Sequence, residues 1–430
     1  MRSLYTPAIV SSCAVLMWVG FGASAAAGAV PTFSKDVAPI LYKNCATCHR
    51  PGEIAPMPLL TYQEARPWAK SIRQYVTSGK MPPWHATQAR GVFLNDRRLT
   101  DADKDTLIAW VDGGAPEGNP SDLPPVPHFV EGWQIGQPDL VISIPKPFAV
   151  PASGTIDYQY FTVPTNFTED KWVQAMEIRP SVRSVVHHVI VYMREPAGTP
   201  FETGFAQVLP KMPQMNKPGG SGPGVILAAT APGAPPMIFQ PGEAIRIPAG
   251  SSLVFQIHYT ANGKPAMDQS SIGLVFAKAP PEREIHTAAF LNPMLRIPAG
   301  DPDQAVDSAI EFTQDCHITA MVPHTHLRGK SWEYRLIYPN GDSQVILDVP
   351  HYDFNWQTWY TFAKPLAVPK GSRLEGTAHY DNSVNNPSNP DPKVDVRWGD
   401  QTWNEMQYTA MTYYIDHPAA STAPSTGGQK

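Results

Sequence analysis

Cysteine is scarce in this 430-residue chain: there are four, Cys13, Cys45, Cys48 and Cys316. A fold held by a ladder of disulfides is therefore excluded, and stability must come from buried cores. Charge is sparse as well. Only 17% of residues are Asp, Glu, Lys or Arg, the formal net charge is −5, and no long basic run occurs. That balance excludes nucleic acid and an anionic membrane surface as partners. Past the N-terminal segment no apolar stretch is long enough to span a bilayer, so no transmembrane segment is expected in the mature chain. What is abundant is proline, with 47 prolines beside 31 glycines. Such a chain resists long helices and favours short strands joined by many turns. A hydrophobic content of 42% is too high for a disordered protein. The length calls for two or three domains.

The N-terminus has the order of an export signal. Arg2 is followed by an apolar stretch from Ala8 to Phe21 and then by the small-residue run Gly22 to Gly28. Residues 1–28 are expected to be a signal peptide, and the protein to be exported to a periplasm or secreted. An uncleaved anchor is the alternative. Cys13 lies inside the apolar run and leaves with the signal.

Cys45 and Cys48 stand in Cys45-Ala46-Thr47-Cys48-His49. In C-x-x-C-H both thiols can add to the vinyl groups of a haem, and the adjacent imidazole then reaches the iron. The alternative, a thiol–disulfide redox motif, lacks its usual βαβ setting. The surrounding segment resembles a small class I cytochrome c. Phe33 to Asn44 reads as an opening helix with Val37, Ile40 and Leu41 on one face, and Thr100 reads as the N-cap of a closing helix carrying Leu107, Ile108 and Trp110. One covalently attached haem c is the expected cofactor, held by Cys45, Cys48 and His49. Met81, in a loop stiffened by Pro82 and Pro83, is the expected distal ligand, with Met57 and His85 as alternatives. An external electron donor to this haem follows as a partner.

Residues 116–135 read as a Pro-rich linker between this cytochrome c domain at 31–115 and the rest. The remainder has strand signals, among them Val185 to Met193, Leu253 to Thr260, Gln314 to Val322, Tyr334 to Tyr338 and Met406 to Tyr414. The expected fold class is a small all-α domain followed by two all-β antiparallel sandwich domains, at 136–277 and 278–417, with a disordered tail at 418–430.

Histidines carry the second piece of chemistry, several of them inside apolar strand sequence where an unpaired ring is costly. His187 and His188 are adjacent, His258 ends a strand-like run, and His324 and His326 have the i, i+2 spacing that puts two rings on one strand face. Two metal sets follow: His187, His188 and His258; and His324, His326 and Met406. Imidazoles suit several metals, whereas a neutral thioether selects Cu(I). Zinc in the three-histidine set is compatible with its ligands but leaves Met406 without a role. Neighbours on a regular strand point to opposite faces, so His187 and His188 can share one ion only at a bulge or a strand end.

The order His-His, His, His-x-His, Met resembles the copper type II, ascorbate-dependent monooxygenases, the group of peptidylglycine α-hydroxylating monooxygenase and dopamine β-hydroxylase. Val186-His187-His188-Val189, Gln256-Ile257-His258-Tyr259, Pro323-His324-Thr325-His326 and Asn404-Glu405-Met406 carry the likeness, over about residues 137–417. The resemblance implies two copper ions: an electron-storage copper on His187, His188 and His258, and a second on His324, His326 and Met406, where O2 binds and a substrate C–H bond is attacked. It implies a monooxygenase acting on a small organic molecule. The fused haem is expected to deliver the electrons.

Departures narrow the substrate. The peptide-amidating enzyme has an Arg two residues before its His-x-His, where this chain has Val322; its Asn and Tyr after the methionine correspond to Tyr408 and Ala410. Glycine-extended peptides are therefore not expected, and the pocket should be apolar or aromatic. His317 and His379 have no role in the resemblance and are expected to be structural. The competing functional class is a non-oxygenating electron-transfer protein. A pure relay favours closed coordination with a Cys thiolate, and only Cys316 is left to supply one.

Overall fold

The computed structural model describes residues 29–51, 53, 55–130, 132–196, 205–209, 224–231 and 234–416. The expected signal peptide and tail lie outside them. Strands dominate, in several mainly antiparallel sheets, and every α-helix among the described residues precedes residue 113. None of these helices is long and apolar enough to cross a membrane.

The helical segment opens with Phe33–Val37 running into Ala38–Asn44 and closes with Asp101–Asp112. Thr100 caps the closing helix, its hydroxyl accepting from Asp103 N at 3.0 Å. Two further helices, Tyr62–Ala65 and Ala69–Thr77, were not signalled by strong periodicity. A capping box between Thr61 and Glu64 starts the first of them. Phe33, Val37, Leu41, Leu107 and Trp110 form a core of their own. The start of the Pro-rich stretch is tied back to it: Pro116 O accepts both from Phe33 N and from the Trp110 indole, each at 3.0 Å.

After the linker come two stacked-sheet cores. In the first, Val186–Arg194 and Ser252–Tyr259 sit side by side in a four-stranded sheet. That sheet faces Lys171–Arg179 and Ser271–Phe276 across Val189, Val191, Phe255, Ile257 and Leu274. In the second, Cys316–His324 and Tyr408–Ile415 face a five-stranded sheet across Met321, Trp332, Tyr334, Met411 and Tyr413. The observed arrangement departs from two separate sandwiches. They share a nine-stranded sheet, stitched by a parallel pairing of Glu243–Ile247 with the start of Arg283–Leu291. The strand Phe205–Leu209, within the first half of the sequence, pairs with Gln304–Phe312 of the second core.

A second difference concerns the helical segment. Residues 84–95 leave its core and lie on the second sandwich. Thr87 N donates to Asp348 O (3.0 Å), Leu94 N to Thr361 O (2.8 Å), and Ala363 N to Val92 O (2.9 Å). Trp84 and Phe93 pack with Tyr360 and Phe362 at ring separations of 5.1–5.9 Å. Each such pair contributes about 0.5–1.5 kcal/mol beyond the area it buries. The sequence hides this because an aromatic in a loop looks the same whether it packs at home or on a neighbour.

Candidate functional site

The register of the first sandwich answers the adjacent-histidine problem. His258 pairs with His188, but Tyr259 pairs with Val186, so His187 is an extra residue at a β-bulge. The bulge turns consecutive side chains toward one side. One ring nitrogen from each of His187, His188 and His258 lies within 4.8 Å of the others. His187 Nδ1 and His188 Nδ1 face each other at 3.2 Å. The His258 Nδ1 is buried without a hydrogen-bond partner, a deficit of about 1–3 kcal/mol unless something else satisfies it. A metal ion is the ligand that three convergent imidazole nitrogens fit.

The second set sits at the end of Cys316–His324 and the turn after it. The His324 Nδ1–H donates to Gln357 Oε1 at 2.9 Å, and the His326 Nδ1–H to Asn404 O at 3.2 Å. Carbonyl oxygens only accept, so each bond puts the proton on Nδ1 and leaves the lone pair on Nε2, the arrangement usual for a metal-ligating histidine; the Gln401 backbone also contacts the His326 ring. Their ring centroids are 5.1 Å apart. The backbone at Met406 is anchored through its neighbours. Glu405 accepts from His326 N and Arg328 N, both at 2.7 Å, and Tyr380 OH donates to Met406 O at 2.7 Å. Buried Arg328 donates to Asn382 Oδ1 (2.8 Å) and Trp403 O (3.0 Å) behind them. Burial pushes the Glu405 carboxyl up to about 8, against the pull of those two N–H groups and of Arg328.

Burial also keeps the imidazoles neutral. It lowers His258 and His324 to about 4 and His326 to about 3, and it takes His188 well below the ordinary histidine value. Neutral imidazole is the form that binds metal. The pH dependence of the metal-free protein follows. Above about pH 6.5 both folded and unfolded rings are neutral and nothing changes; below it the unfolded chain takes up protons that the folded one refuses, down to about pH 4. Stability should therefore fall as pH falls through that window. Differential scanning calorimetry of the metal-free protein should give a lower midpoint near pH 5 than near pH 7.5, with a shallower slope in His326→Asn. An equal slope in that variant would contradict the assignment.

Sequence motifs did not reveal the groups around these rings. Phe354 stacks on His187 (5.2 Å, 15°) and meets His326 edge-on (5.9 Å, 79°). Tyr158 packs on His188 (5.3 Å) and His258 (4.8 Å), and its hydroxyl lies 3.3 Å from Thr402 Oγ1. Gln357 and Phe354 come from an irregular loop with no recognisable pattern. Glu405 had a signal, being the neighbour of Met406. His317 pairs with Asp416 (3.0 Å) and His379 with Asp303 (3.2 Å), both away from these sets, as structural residues do.

Cys45, Cys48 and His49 follow directly on the first helix, with Cys48 N and His49 N both donating to Cys45 O. No disulfide joins the two thiols. Burial pushes Cys45 up to about 12 and raises Cys48 as well, so both are neutral thiols. His49 Nδ1–H donates to Met57 O at 3.1 Å, leaving Nε2 free. The Met57 carbonyl thus stands on the Nδ1 side of the imidazole. His85 lies near Asp353 and His351 of the second sandwich.

Set beside known proteins, residues 302–424 match the family model described as copper type II ascorbate-dependent monooxygenase, C-terminal domain. That stretch contains His324, His326 and Met406, and its described part, to residue 416, lies in the second sandwich; the family is a copper-binding class of oxidoreductases. No curated protein matched the chain. Among solved structures, similarity extends to a mutant VP2 protein of infectious bursal disease virus in T=1 particles (TM-score 0.19, 8% identity, 65% of this chain and 70% of that one). The Gt strain of the same virus gives a TM-score of 0.18 and 9% identity, over 64% and 70% of the two chains. Similarity at that level carries no functional argument.

Proposed function

We propose that this chain is an exported, copper-dependent monooxygenase that hydroxylates a C–H bond of a small organic substrate with O2, using electrons that enter through a c-type haem on its helical segment. The observation that carries the reading is the paired geometry: a three-imidazole cluster made by a bulge, in contact through Phe354 with a His-x-His turn that Glu405 ties to the segment carrying Met406. The family match over residues 302–424 supports the second half of that pair.

In this reading His187, His188 and His258 hold one copper and His324, His326 and Met406 the other, while Cys45, Cys48, His49 and Met81 hold the haem. Copper in the second set would supply the one-electron chemistry that O2 requires and a neutral thioether would favour its reduced state. The chain's own residues do the rest. Gln357 and Asn404 orient the two imidazoles. Glu405 ties the His-x-His turn to the segment carrying Met406. Val322, Tyr408 and Ala410 put no charged side chain of their own beside His324, which suits an uncharged substrate. Tyr192, Ile190 and Ile226 of the first sandwich pack against Val322 and Ala410 and extend that apolar surface.

Carbon monoxide binding to the reduced, copper-loaded protein separates an oxygenase from a closed electron relay. An oxygenase keeps one coordination position open and should bind about one CO per chain, read by infrared spectroscopy. Failure to bind CO with copper present would favour the relay.

A further inference from the structure

The two histidine sets belong to different sandwiches, yet aromatic side chains cross between them in both directions. Phe354, from the loop between Ser343–Val349 and Tyr360–Val368, reaches over to His187 while its edge meets His326. Tyr158, from the first sandwich, covers His188 and His258 and reaches Thr402 in the segment leading to Met406. The loop that carries Phe354 is itself anchored at several points. Tyr352 OH donates to Thr325 O (2.9 Å), Gln357 Oε1 accepts from His324, and Asn95 Nδ2 of the helical segment's arm donates to Trp359 O at 2.5 Å. Phe354 is only 8% exposed. Its ring touches both His187 and His326.

We infer that Phe354 is a positioning residue that fixes the separation of the two metal sets, with Tyr158 bracing the rings of His188 and His258. The inference rests on the two-copper reading above. An aromatic ring is suited to this task because it is rigid, with two torsions, and makes a stacked contact on one side and an edge contact on the other. A ring held on both sides leaves each imidazole one orientation relative to the other set. The same loop bears Gln357, so displacement of Phe354 should also disturb the orientation of His324. Its anchorage to the arm at residues 84–95 makes the helical segment part of the same rigid frame.

The test is pulsed dipolar EPR on the full-length protein loaded with Cu(II), comparing wild type with Phe354→Leu, Phe354→Ala and Phe354→Tyr. Wild type should give one narrow copper–copper distance. Phe354→Leu keeps apolar volume and should fold, but should broaden the distribution; Phe354→Ala should broaden it further; Phe354→Tyr should restore the narrow one. Copper content, by elemental analysis, should stay at two per chain in the Leu and Tyr variants. Reduction of the second copper through the first should slow by about tenfold or more in Phe354→Leu, on the scale at which ångström displacements alter reactivity. A narrow, unshifted distance in Phe354→Leu overturns the inference while leaving the two-copper reading intact. A wild-type protein that takes up fewer than two coppers overturns that reading instead.

Discussion

Met406→Ile should abolish O2-dependent turnover and leave haem incorporation intact. The substitution removes a thioether and keeps a side chain of similar volume, so the cost to folding should be below about 1.5 kcal/mol. The local frame survives it. Glu405 still accepts from His326 N and Arg328 N, and Tyr380 OH still reaches the backbone carbonyl at residue 406. What is lost is the one soft donor in the second set. Loss of a residue that only supports a metal ligand costs about 10–100-fold, so loss of the ligand itself should cost more than about 100-fold in turnover. Copper retained after dialysis under reducing conditions should drop from two per chain to one, because the three-histidine set is untouched. Unchanged turnover would remove Met406 from the account.

His49→Ala should destroy the visible spectrum of a normal c-type haem and stop donor-driven turnover, while copper uptake stays at two per chain. The helical core of Phe33, Leu41, Leu107 and Trp110 contains none of the copper-set residues. The two regions meet instead through the arm at residues 84–95 and through Arg183, which donates to Glu53 at 2.8 Å. Arg183 opens the turn that leads into the strand of His187, so the C-x-x-C-H loop is tied to the first set by a partly exposed ion pair worth about 1 kcal/mol or less. Breaking the haem ligand therefore leaves the strands in place. Simultaneous loss of haem and copper would show that the helical segment is needed to build the sandwiches.

Much of this was legible in the sequence. The strand around His187 and His188 and the Thr100 cap follow from local pattern and capping chemistry; the strand-face reading of His324 and His326 does not hold, because the strand ends at His324 and His326 lies in the turn beyond it. The bulge at His187 could be stated only as a condition, since pairing register depends on a partner strand about seventy residues away. The shared nine-stranded sheet was invisible for the same reason: its parallel stitch joins Glu243 to Arg283 across the expected domain boundary. Short helices such as Tyr62–Ala65 fall below the length at which periodicity is readable. Phe354, Gln357 and Tyr158 had no signal. Their roles arise from which loops meet, and a lone aromatic or amide in a loop has no period to betray it.

Elemental analysis of protein matured in a host that attaches c-type haem, then loaded with copper and dialysed, tests the central claim most directly. One iron and two coppers per chain are expected. One iron with no tightly held copper would contradict that claim, leaving the convergent histidines as a structural cluster and the oxygenase reading without its metal.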